Sequence, residues 1–239
     1  MMTLKAGETA VGAVMDLRAY AEGTAPSADW LDGRAAPAFA DDKAVVCAFA
    51  LRGTGRVAFL PSDEFVLVLK GRLEIAAEGA AALVLGPDDC CALPFGCGFG
   101  WTASEDLLAL VYSAPTDRAG NVTVPVMIDK NAPLNPSSPP ASENLLGEVP
   151  TCRGFSDYVS ANAEFCAGTW DSTPYHRRQI PYRQVELMLL MEGAVTFSDR
   201  NGSVGFRKGD VCLFVRGDGC AWLSEEYVKK VFATQRPLG

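Results

Sequence analysis

Histidine is almost absent from this chain: His176 is the only one in 239 residues. A site built from several imidazoles is therefore excluded, and no Ser–His–Asp set can be read from the sequence. His176 lies between Tyr175 and Arg177 in a turn-like stretch and reads as an exposed or capping residue. A Cys220–His176 nucleophilic pair stays open, but sequence supplies no geometry for it. Positive charge is also short. Lys and Arg number 21 against 29 Asp and Glu, a net charge of −8, which argues against nucleic acid as a partner. The first twenty residues contain no apolar run long enough for a signal-peptide core or a membrane span. A cytoplasmic protein without a membrane partner is expected. There is no CxxC pair among the eight cysteines, so a zinc ribbon is not expected and reduced thiols are. Cys47, Cys91, Cys166 and Cys212 sit in apolar runs and read as small hydrophobes. Neither a long amphipathic helix nor a glycine-rich phosphate loop is present.

Short β-type runs dominate what remains. Ala44–Leu51, Glu64–Lys70, Arg72–Ala77, Ala82–Leu85, Cys90–Leu93 and Leu107–Ser113 are such runs in the first half. Glu164–Trp170, Val185–Met191, Ala194–Phe197, Val204–Phe206, Val211–Val215 and Tyr227–Ala233 are those of the second. Gly53-Thr54-Gly55 reads as a turn, and Asp199-Arg200-Asn201-Gly202 as a hairpin turn, because Asn-Gly accepts positive φ. Short helical pieces are expected around Ser27–Leu31 and Ser156–Val159. Pro115–Pro150 is rich in Pro, Ser and Asn and cannot be a central strand. It reads as a flexible linker, or as one packed along the barrels, since Val122–Ile128 is apolar enough to add an edge strand.

The two halves carry one pattern twice. Glu64–Gly71 reads EFVLVLKG and Glu186–Gly193 reads ELMLLMEG. Each is followed by an Asp (Asp89, Asp210), a Cys (Cys91, Cys212), a Gly (Gly96, Gly217) and a Trp (Trp101, Trp222). The glutamates lie 122 residues apart and the tryptophans 121, a nearly constant offset that implies two copies of a whole domain.

The second copy resembles a cupin of the subfamily that includes ethanolamine-utilisation and ureidoglycine aminohydrolase-like proteins. The resemblance rests on Gly168, Trp170, Pro174, Glu186, Gly193, Gly209-Asp210 and Trp222. The first copy matches more loosely through Glu64, Gly71, Asp89, Pro94, Gly96 and Trp101. The implied fold is all-β: two tandem RmlC-like cupin barrels of the double-stranded β-helix or jelly-roll type. Residues 1–43 would be a lead packing on the barrels, 44–114 the first barrel, 115–160 a linker and 161–239 the second barrel. Two barrels in one chain would form an internal pseudo-dimer, with a further homodimer left open.

Metal-binding cupins hold their ion with an H-x-H pair, a Glu and a later His. The resemblance puts those His positions on Ala58, Leu60 and Phe99 in the first copy, and on Ile180, Tyr182 and about Cys220 in the second. No metal and no other cofactor is therefore expected. Only the second copy is expected to keep a polar set around its Glu. Tyr182, Glu186, Arg178, Cys220 and Trp222 are its candidate ligand-binding residues, with Glu64 as the counterpart in the first copy. Glu186 reads equally as an acid/base or cation-binding group and as a structural partner of Arg178 or Arg183. One inward residue among Arg177, Arg178 and Arg183 would suit a carboxylate. Trp101 and Trp222 read as core. Two functions follow: a metal-independent small-molecule binding or sensing protein with its pocket in the C-terminal barrel, or an aminohydrolase-like hydrolase acting on a small nitrogenous or carboxylate metabolite, with Glu186 as acid/base.

Overall fold

The computed structural model describes residues 7–9, 11–217 and 219–238. Strands account for nearly all regular structure there; the helical pieces are Leu17–Ala21 and the 3-10 turn Ser142–Asn144. The chain divides into two compact units. One comprises Ala21–Ile128 and Asp157–Ala167; the other comprises Asp129–Ser156, Gly168–Pro237 and the N-terminal segment up to Tyr20.

In the N-terminal unit, Ser62–Lys70 pairs with Leu108–Pro115 on one side and Cys90–Leu93 on the other. Residues of both parities along Ser62–Lys70 are buried, which is why the sequence there is a continuous apolar run rather than an alternation. Val45–Leu51 extends this sheet beyond Leu108–Pro115. A four-stranded sheet is formed by Gly53–Val57, Phe99–Ala103, Leu73–Ala76 and Leu83–Leu85, in that order. Phe99, Trp101 and Ala103 are buried and alternate with less buried Gly100 and Thr102, the period of a strand with one face on the core.

Gly53–Gly55 is therefore part of a strand, not the turn expected from its glycines. Trp101 lies opposite Gly55, and a Cβ there would meet the Trp101 ring at 2.5 Å. At Gly55 glycine is required by close approach, whereas Gly53 takes a φ of +80°. Ser27–Leu31 is not helical either. Asp29 Oδ1 accepts hydrogen bonds from the amides of Leu31 and Asp32 (2.8 and 2.7 Å), a side-chain-stabilised turn. That turn delivers Trp30 into the core of the barrel, 5.0 Å from Phe49, 4.9 Å from Phe99 and 6.4 Å from Trp101 between ring centroids.

In the C-terminal unit, Val185–Glu192 is central, flanked by Val211–Phe214 and Val228–Gln235. Val14–Asp16 adds an edge strand beside Val211–Phe214. The opposing sheet is Tyr175–Pro181, Gly219–Ser224, Ala194–Asp199 and Gly202–Arg207. Arg200 and Asn201 form the tip of the expected hairpin, between the paired Asp199 and Gly202. The core is aromatic: Phe197 lies 4.5 Å from Phe214 and 5.3 Å from Trp222, and Trp222 stacks on Tyr175 at 5.3 Å. The repeated Gly of the two copies also has a backbone reason. Gly71 and Gly193 take φ of +80° and +77°, and a Cβ on Gly193 would meet the Tyr227 carbonyl oxygen at 2.1 Å.

Two short parts of the Pro-rich segment pair as strands. Val126–Met127 adds an edge strand to Cys90–Leu93 in the N-terminal unit. Asn135–Ser137 pairs with Cys152–Val159. Residues Ser156–Val159 complete that second strand rather than forming the expected helical turn; Phe155, Tyr158 and Val159 favour the extended state.

Candidate functional site

Glu64 in the N-terminal barrel is 1% exposed and fully engaged. Its Oε1 accepts from Arg34 Nη2 at 2.7 Å, Ser113 Oγ at 2.9 Å and Ser62 Oγ at 3.3 Å; its Oε2 accepts from Trp30 Nε1 at 3.1 Å. Arg34 also donates to Ser113 Oγ and to the Trp30 carbonyl. The expectation of a polar set in the second copy alone is thus corrected: Glu64 has one, brought by Trp30 and Arg34 from the N-terminal lead, more than thirty residues away, where a local pattern cannot show it. The carboxylate is enclosed by the chain's own indole and guanidinium groups.

Glu186 occupies the corresponding place in the C-terminal barrel. Its Oε1 accepts from Lys230 Nζ at 2.8 Å, and its Oε2 from Gln184 Nε2 at 2.9 Å and Tyr182 OH at 3.4 Å. Lys230 is 6% exposed. Its ammonium also sits 4.8 Å above the Trp170 ring, 5.5 Å from the Trp222 ring centroid and 3.2 Å from Met188 Sδ. The ammonium is thus held between a carboxylate and two ring faces. Position for position, Lys230 replaces Ala109, since Lys230 pairs with Leu190 as Ala109 pairs with Val68. The sequence does carry a signal for it: Lys229 and Lys230 are adjacent on a strand, so one of them must point inward.

Arg177 is the second buried cation. Tyr175 and Arg177 point inward on Tyr175–Pro181, and an irregularity after Arg177 leaves Arg178 and Gln179 exposed. The inward arginine is therefore Arg177, and Arg178 faces solvent. Arg177 Nη2 donates to the Cys220 carbonyl at 3.1 Å, its guanidinium lies 5.5 Å from the Tyr182 ring centroid, and its Nε has no acceptor. Cys220 contributes that carbonyl; burial pushes its thiol up to about 11, against the opposing pull of Arg177, so it stays protonated at neutral pH. Desolvation, reinforced by the Glu186 charge, drives the Tyr182 phenol well above its ordinary value. Trp222 is a core residue whose Nε1 donates to Ser224 Oγ.

A cavity of about 820 Å³ opens beside these groups. Trp170, Arg177, Ile180, Tyr182 and Gln184 line it from the barrel. Pro139, Pro140 and Ala141, from the segment read as a linker, form another wall. That segment is anchored to the same strand by a Leu145–Arg177 bridge and by the Leu146 amide, which donates to the His176 carbonyl at 2.9 Å. The linker's share in the cavity was not legible in its composition.

Residues 159–232 match the EutQ-like cupin domain. The fold is the cupin fold. A protein of unknown function from Pseudomonas syringae pv. tomato str. DC3000, of the DUF861 family, is similar at 25% identity and a TM-score of 0.79, over 83% of this chain and 85% of that one. Ylba from E. coli, also DUF861, gives 12% identity and a TM-score of 0.56 over 99% and 95% of the two chains. A cupin 2 conserved barrel domain protein from Leptotrichia buccalis gives 11% and 0.55 over 98% and 100%. A comparison with curated proteins finds no match.

Cupins of this kind raise the question of a metal. The donors at the relevant positions do not fit one. Ile180 is apolar, Tyr182 and Cys220 are held neutral, and the single carboxylate, Glu186, already faces an ammonium at 2.8 Å. No cluster of three His, Cys, Asp or Glu side chains occurs among the described residues. Nor is any helix there long and apolar enough to cross a membrane.

Proposed function

We propose that this protein binds a small molecule in its C-terminal barrel without a metal ion, and that the N-terminal barrel is a structural copy. The observation that carries this is the larger cavity beside the buried cations of the C-terminal barrel. Trp30 and Arg34 close the interior around Glu64, and two cavities of about 520 Å³ each lie in that unit, whereas the C-terminal unit has an open cavity of about 820 Å³ beside its buried cations, within the range of small-ligand sites. Apolar walls of Trp170, Ile180 and the two prolines, with Arg177, Tyr182 and Gln184 as polar groups, are the composition such sites have. Binding is favoured over acid–base chemistry because both Glu186 oxygens are engaged, one by a fixed ammonium. Eight cysteines that form no disulfide among the described residues, seven of them buried, support a cytoplasmic setting for this activity.

The reading is tested by elemental analysis of the purified full-length protein together with melting-temperature screening of a small-metabolite panel after chelator treatment. Substoichiometric metal is expected, with stabilisation by at least one compound class that is lost in Ala141→Trp, which fills the cavity from the Pro-rich wall. Stoichiometric transition metal, or stabilisation that appears only after metal is added back, would contradict it.

A further inference from the structure

We infer that the ligand is a small dicarboxylate, with one carboxylate held by Arg177 and the other at a rim formed by Arg183 and Arg236. The inference rests on the C-terminal cavity being the ligand site and names what that site selects. Its starting point is a charge that the fold leaves uncompensated. Glu186 and Lys230 neutralise each other at 2.8 Å. Arg177, 7% exposed, has no carboxylate partner among the described residues; one backbone carbonyl and one ring face are its contacts, and its Nε hydrogen has no acceptor. Burying an unpaired guanidinium is costly, because its desolvation is not offset. The fold does not demand this. In the N-terminal barrel the same position, opposite the matching Trp101, is Gly55. A residue that the architecture can do without, held at a cost against a cavity, is explained by what enters the cavity.

The lining defines the chemistry. Among the described residues Arg177, Arg183 and Arg236 face the cavity, and no Asp or Glu does. Arg183 and Arg236 are exposed, so they steer and hold an anion at the mouth, where salt screens them. Between the deep and outer cations lie Trp170, Tyr182, Ile180 and the prolines, surfaces that accept an apolar or planar body. A carboxylate suits Arg177 better than a phosphate. One buried unpaired cation balances one negative charge, and a planar carboxylate meets the guanidinium edge in a plane, whereas a phosphate dianion would bring a second uncompensated charge into a desolvated site.

The test is calorimetric titration of chelator-treated full-length protein with succinate, glutarate and phthalate, with their neutral diamides, and with inorganic phosphate. At least one dicarboxylate is expected to bind below about 1 mM, more tightly than its diamide and than phosphate. Arg177→Met should weaken it at least about tenfold while the ligand-free protein melts no lower than wild type, since the variant removes an uncompensated buried charge. The double variant Arg183→Ala/Arg236→Ala, exposed and safe for folding, should weaken it and flatten its salt dependence; it carries the test alone should Arg177→Met not fold. The inference is overturned by tighter binding of a diamide or of phosphate, by an affinity unchanged in both variants, or by no dicarboxylate binding at about 10 mM. Diamide binding that is lost in Ala141→Trp would sink the dicarboxylate and leave the cavity standing as the ligand site. Binding that survives Ala141→Trp would sink both.

Discussion

Lys230 and Glu186 form a buried pair whose two members depend on each other. Removing the ammonium leaves a desolvated carboxylate with only Gln184 and Tyr182 to meet it. Lys230→Met is therefore expected to destabilise the protein by about 3–5 kcal/mol, read as a lower urea midpoint with an unchanged slope. Combining it with Glu186→Gln should recover more than half of the loss, because the charge that was stranded is gone. A double variant as unstable as the single would contradict the pairing. Sequence alone pointed to Glu186 and to an inward arginine on the right stretch, but named Arg178. The bulge that turns Arg178 outward and Arg177 inward is set by pairing with Gly219–Ser224, a strand forty residues on, and no local pattern records it.

At the scale of elements, the N-terminal lead is the piece least legible beforehand and the most consequential. Its turn at Asp29 puts Trp30 among Phe49, Phe99 and Trp101, and Arg34 against Glu64. Trp30→Ala should cost about 3–5 kcal/mol and open an interior cavity beside Glu64, visible as binding of a hydrophobic dye or of xenon. A loss below about 1 kcal/mol would show that the lead is not part of that core. Gly55→Val tests the strand whose glycines read as a turn: its Cβ has no room beside the Trp101 ring, and overpacking should cost about 1–3 kcal/mol. The central strands were legible because they are buried on both faces and read as continuous apolar runs. Gly53–Val57, Phe99–Ala103 and Gly219–Ser224 were not, because glycine and polar residues at close-packed positions imitate loops.

For the whole molecule, the duplicated framework of Glu, strand, Gly and late Trp was legible in full, since each of those residues has a local backbone or core reason shared by both copies. The divergence between the copies was legible only in part, because it lies in what each barrel interior receives from distant segments. Burial of thiols in both barrels also has a consequence for alkaline stability. Desolvation pushes Cys47 and Cys220 up to about 11 and Cys97 to about 12, above an ordinary 9.0. The unfolded chain thus releases these protons first. The associated stability is fully present below about pH 9 and is lost progressively as pH rises toward about 12. Melting temperatures should fall across that window, and a flat profile between pH 9 and pH 11 would contradict burial of these thiols as described.

The central claim is that one barrel is a structural copy, closed around its glutamate, and the other an organic-ligand site that works without a metal. Titration of phthalate into chelator-treated protein, followed by the same titration after manganese or zinc is restored, tests it most directly. The account predicts one site per chain with the same affinity in both titrations; binding that vanishes on chelation and returns with the metal would contradict it.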